Sequence, residues 1–182
     1  MHCPAFQKSG SILKAAMEAK IVVIGIGQSL RGDDAAGLMA VRLWQKKFPE
    51  TASRPEVRAE TLELPGLGLL DYLDGMQAAI LVDAIRSSDP PGSLRRFTLR
   101  QAIAFTSEAR SAHGWGVAET LQLGIALNPS IKQCRLILFG VSGHQFQMGA
   151  ALSPEVEMAL PRATESIERE VLQFLKRFKN KS

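Results

Sequence analysis

The sequence predicts a single α/β domain of three layers, α/β/α, around a mostly parallel, mixed sheet, and three observations lead there. Short β-branched runs that read as buried strands alternate with helix-patterned segments, the arrangement of a parallel sheet covered on both faces. One strand-like segment, Leu94–Leu99, comes directly after the turn signal Ser87-Ser-Asp-Pro-Pro-Gly92. So short a connection predicts an antiparallel strand at an edge, which makes the sheet mixed. The chain has 182 residues, enough for one domain with a sizeable core, and no repeat, linker or low-complexity stretch divides it.

Taken in order, residues 1–19 read as a polar or loosely helical N-terminal extension without the apolar centre of a signal peptide. The domain is expected over residues 20–178. Lys20–Ile26 is a continuous Ile/Val run and reads as a buried strand. A helix is expected from Asp34, as cap or opening residue, to about Phe48, with Leu38, Val41, Leu43 and Trp44 on its apolar side. Pro49 and the polar residues to Pro55 end it. Val57–Leu64 alternates as a second strand, and Pro65-Gly66-Leu67-Gly68 turns into a short helix, Leu69–Asp74. Ala79–Val82 is a buried strand closed by Asp83. Arg100–Ser111 is irregular and reads as a loop around the site. Trp115–Leu127 is helical and stops at Asn128-Pro129. Arg135–Val141 is the last buried strand. A final helix begins at Ser153-Pro154-Glu155, with serine as cap and proline in the first turn, and runs to about Phe178.

Composition removes several function classes. The formal net charge is +4 and the mean hydropathy is +0.01, ordinary for a globular protein. The surplus cations cluster at the C-terminus and around Arg95, Arg96 and Arg100, without the interleaved aromatics of a nucleic-acid surface. No apolar run is long enough to span a membrane. Cys3 and Cys134 are the only cysteines and form neither a CxxC pair nor a zinc spacing, as expected of a cytoplasmic chain. The ordinarily polar helix surfaces predict a monomer.

The chemistry concentrates where strands give way to loops. After the first strand comes Gly25-Ile-Gly-Gln-Ser-Leu-Arg-Gly-Asp33-Asp34, two adjacent carboxylates at the edge where α/β sheets form sites. It is not a dinucleotide fingerprint, because Leu30 stands where the third glycine of GxGxxG belongs. Neighbouring side chains point in different directions there, so one aspartate braces the loop and the other faces the cleft, and Asp34 is the one expected in the cleft. Asp83 ends an apolar strand, where a carboxylate is costly to desolvate unless it faces a cleft or a partner. His113, in Ser-Ala-His-Gly-Trp, offers an imidazole just before a helix, and His144 after the last strand competes with it. No GxSxG nucleophile elbow is present.

Together these segments resemble the [NiFe]-hydrogenase maturation protease family over roughly residues 20–175. The resemblance rests on the Gly25–Gly37 loop, Leu-Val-Asp-Ala-Ile at 81–85, Pro91-Gly92 ahead of a strand, Ser-x-His-Gly-x-Gly at 111–116, and Leu-Ser-Pro-Glu-Val at 152–156. It implies a phosphorylase/hydrolase-like domain. It also implies an endopeptidase that removes the C-terminal extension of a hydrogenase large-subunit precursor after nickel insertion. Asp34, Asp83 and His113 match the family's metal-recognising and catalytic trio, with Asp34 one methylene shorter than the glutamate common there. The nickel is supplied by the substrate, and no tightly bound cofactor is expected. The family's Asp-Gly-Gly-Thr-like box is replaced by Glu63-Leu-Pro-Gly66-Leu-Gly, so Glu63, Gly66 and Asp33 are the expected substrate contacts. A protein that binds the C-terminus of the large-subunit precursor without cutting it is the alternative.

Overall fold

The computed structural model describes residues 19–105 and 117–180. Its centre is a five-stranded sheet in the order β2-β1-β3-β5-β4, formed by β1 (Ile21–Gly27), β2 (Val57–Glu63), β3 (Ala78–Ile85), β4 (Leu94–Thr98) and β5 (Arg135–Ser142). β1 pairs in parallel with β2 and β3, and β3 in parallel with β5. β4 runs antiparallel to β5 at the sheet's edge, from Leu94↔Val141 to Thr98↔Ile137. The sheet is therefore mixed, as its short pre-β4 turn predicts.

Alternation along each strand sends side chains to two separate cores. One face carries Ile21, Val23, Ile80, Val82, Ile137 and Phe139 against α1 (Ala36–Lys47) and α6 (Pro154–Lys179). The other carries Val22, Ile24, Leu81 and Leu138 against α3 (Leu69–Leu73), α4 (Leu99–Phe105) and α5 (Val117–Leu127). Each fully buried Leu or Ile side chain stabilises by roughly 1.5–3 kcal/mol relative to exposure, so burial on both faces decides the central strands. The covering helix α6 is locked from a third side. Glu168 accepts hydrogen bonds from Trp44 Nε1 at 2.8 Å and from Thr51 Oγ1 at 2.7 Å.

The structure departs from the sequence reading in four places. β3 runs on to Ile85 instead of stopping at Val82, because pairing with β5 continues through Asp83↔Gly140 and Ile85↔Ser142. Chain helicity begins with a single tight turn, Gly32–Ala35, and the cap positions there fall on Arg31 and Ala35, not on Asp34. Helix α1 ends ahead of Pro49 as expected, but the polar stretch that follows is not all loop: Pro49 occupies the first turn of a separate short helix, α2 (Pro49–Ala52), where a missing N–H costs nothing. Part of the expected loop is helix α4. Thr98 and Gln101 close its start reciprocally, with Thr98 N–H donating to Gln101 Oε1 at 2.9 Å and Gln101 N–H to Thr98 Oγ1 at 3.4 Å. The rest of that loop, the start expected at Trp115 and nearly all of the N-terminal extension lie outside the described residues.

Candidate active site

From β1 the chain passes to β2 on one side, while β3 occupies β1's other side. That reversal is a switch point, and the crevice at the carboxyl ends of β1 and β3 is where such sheets place ligands. The glycines of the first loop set how close the walls come. A Cβ on Gly27, whose φ is +153°, would collide with the carbonyl oxygen of Asp34, and one on Gly37 with the carbonyls of Val82 and Ile26. Strand, loop and helix thus meet backbone to backbone, and the two aspartates are pressed onto the strand ends.

Asp33 is fully buried. Its Oδ2 accepts the N–H groups of His144 and Gln145, both at 2.9 Å, and its Oδ1 accepts that of Ser153 at 2.8 Å. Burial alone would raise its pKa, but the hydrogen bonds from Ser153, Gln145 and His144 outweigh that and hold it below the usual carboxylate value. The main chain is stitched alongside, with Asp33 N–H donating to Gln145 O at 2.7 Å and Gly149 N–H to Leu30 O at 2.7 Å. Asp33 therefore joins the β1 loop to the β5 loop and to the start of α6. Expected among the substrate contacts, it is instead enclosed, with both oxygens taken by the main chain. Ser153 does stand at the cap position of α6, but its hydroxyl makes no cap bond.

Asp34 has different surroundings. It is almost completely buried and lies close enough to Asp83 for its charge to act there. Pairing between β1 and β3 ends at Gly25↔Val82, so Asp83 stands at the mouth of the opening between them. Burial is the main force raising the Asp83 carboxyl, the negative charge of Asp34 adds to it, and the Ala84 N–H opposes both; the result is about 8. Although Asp83 keeps some exposed surface, its acid group is thus deeply desolvated and largely protonated at neutral pH. Its β5 neighbour is Gly140, and Ile85 fills the space a side chain there would take.

Around this pair the rim is mixed. Glu63, the last residue of β2, accepts a hydrogen bond from Ser29 Oγ at 2.8 Å, which ties β2 to the β1 loop. Gly66 opens the turn beyond, with φ of +48°. Leu64 adopts the same left-handed φ without glycine's licence. Four large apolar side chains stand exposed on the three loops of this edge: Leu30 at 68%, Leu64 at 60%, Leu67 at 51% and Met148 at 70%. His144 is half exposed, with Nδ1 3.6 Å from Asp33 Oδ2. Arg86 stacks on the Phe146 ring at 4.0 Å, a contact that no sequence signal announced. His113 lies outside the described residues. Among the described residues no three metal-ligating side chains gather. Of the expected trio, Asp34 and Asp83 are among the described residues, near enough for the charge of one to act on the other.

Asp34 and Asp83 thus stand at the switch point of a three-layer α/β sheet, where such folds place their sites. A family model described as hydrogenase maturation protease matches residues 64–170, and the chain belongs to that family of peptidases. Protein FrxA of Pyrococcus furiosus is 30% identical over 137 residues, 75% of this chain and 93% of that one. Hydrogenase expression/formation protein HupD of Thiocapsa roseopersicina is 27% identical over 163 residues, 88% of this chain and 70% of that one. Among solved structures, the [NiFe] hydrogenase maturation protease HybD from Thermococcus kodakarensis superposes with a TM-score of 0.67 at 26% identity, covering 84% of this chain and 99% of that one.

Proposed function

We propose that this chain cuts the C-terminal extension from a [NiFe]-hydrogenase large-subunit precursor once nickel is in place, using Asp34, Asp83 and His113 to read the metal. The observation that carries the reading is the meeting of Asp34 and Asp83 at the β1/β3 switch point, in a chain of this family. Carboxylate oxygen and imidazole nitrogen are suitable donors for a divalent first-row ion, which here arrives as part of the substrate. Without it, two close carboxyls cannot both ionise, and Asp83 stays protonated. A bound cation reverses that balance and draws the proton off Asp83, so the site is in its working charge state only on a loaded precursor. One of the two carboxylates then takes a proton from the attacking water and passes it to the amide nitrogen as the C–N bond breaks. The apolar side chains around the rim suit a polypeptide partner better than a small polar substrate.

The test is incubation of the full chain with its large-subunit precursor, loaded with nickel or free of it, followed by intact mass. The wild type should release one defined C-terminal peptide from loaded precursor and none from the nickel-free form. Asp34→Asn and Asp83→Asn should each abolish release while remaining folded. Full processing by both variants would remove the assignment, and equal cutting of nickel-free precursor would remove the metal-reading role. A complex that forms without any loss of mass would make the protein a non-cutting partner.

A further inference from the structure

Away from the carboxyl edge, a groove of about 220 Å³ opens on the flank of the sheet between β4 and α6. Leu94 and Phe139 form its apolar floor, and three arginines, Arg96, Arg162 and Arg169, line it with two glutamates. Those acids are already engaged. The buried Glu170 holds Arg96 at 2.6 Å, and Glu165 holds Lys47 at 3.0 Å. Arg162 and Arg169 are left facing the groove with no acidic partner among the described residues, and both are exposed. Seven positions apart on one helix, they lie about two turns, or ~10 Å, from each other on the same side. The opposite wall is β4, which has β5 on one side and no strand on the other among the described residues.

We propose that this groove is a docking site for an acidic, extended segment of a partner polypeptide, laid along β4 with its carboxylates on Arg162 and Arg169. An extended chain puts alternate side chains on one face about 7 Å apart, or ~13 Å over four residues, which brackets the spacing of the two arginine positions along the helix and leaves the rest to the reach of their side chains. Planar guanidiniums take carboxylates in a bidentate manner, and an edge strand takes an extended backbone. Glu165 and Glu170 in the lining set the class of ligand. A densely charged polyanion would meet them at each step, whereas spaced carboxylates pass between them.

The probe is a short fluorescein-labelled Val/Thr peptide with glutamate at every second position, titrated with the full chain at low salt and followed by anisotropy. The wild type should bind it at least tenfold more tightly than the same peptide carrying glutamine. R162Q/R169Q should lose at least tenfold with melting temperature and precursor cutting unchanged, because neither arginine belongs to the acid site. Equal affinity for the two peptides, or an unchanged affinity in the double variant, would overturn the proposal. So would displacement of the peptide by inorganic phosphate at equal concentration, or tighter binding of a single-stranded oligonucleotide. Loss of precursor cutting in the wild type would bear on the acid site alone and leave this measurement standing.

Discussion

Asp33 and Asp34 are neighbours in the chain, yet the fold surrounds one with main-chain donors and sets the other within electrostatic reach of a second carboxyl. The difference arises in a tight turn, where successive side chains leave in different directions and each finds its own surroundings. Asp33 exchanges water for three backbone N–H groups. Asparagine in its place brings an NH₂ against those donors, so Asp33→Asn should cost about 2–4 kcal/mol in urea unfolding. The sign of the pH dependence follows from a depressed pKa. Stability from this group is present above the unfolded carboxyl value of about 3.9 and is lost as pH falls through the folded value, so the variant should lack that acid limb. A variant as stable as the wild type at neutral pH would show that the loops hold without it. That one of the two acids braces the loop was readable from their place at a strand end. The partners of Asp33 lie more than a hundred positions away, and no local pattern reveals them.

Among the elements, the glycine spacing of the first loop is where sequence and packing correspond most directly. Gly27→Ala places a methyl group into the Asp34 carbonyl and forbids the observed φ. The strand end and the loop must then part, and we expect a loss of at least ~3 kcal/mol, with processing lost even in the folded fraction. Thermal melts and the precursor assay check both; normal melting with normal processing would contradict the close approach. Central strands were legible because continuous Ile/Val runs buried on two faces have no other reading. The end of β3 was not, since residues 83–85 are only partly buried and their pairing depends on β5. Helix α4 had a local mark, threonine followed three residues later by glutamine, that the irregular apolar pattern obscured.

For the whole molecule, the acid site is a stability cost. Asp83 carries a folded pKa of about 8 against an unfolded value near 3.9, so between these the native state holds a proton that the unfolded chain has released. Stability must therefore fall as pH rises from about 4 to about 8. Asp83→Asn should remove this slope, with a melting advantage over the wild type that widens from pH 5 to pH 8. An unchanging gap would mean that the carboxyl is not desolvated. The three-layer class was evident from alternating strands and helices, but strand order was not, because nothing local says which neighbour a buried strand takes. That order brings Asp34 and Asp83 together and leaves Glu63 on the rim.

The same order has a consequence for biosynthesis. Asp34 and Asp83 come from strands that touch in the finished sheet, yet the intervening β2 leaves the ribosome before β3 and already has its place on β1's other flank. A growing polypeptide can complete that two-stranded ribbon while Asp34 still lacks its acidic neighbour. The two carboxyls come within reach of each other only when the later strand inserts.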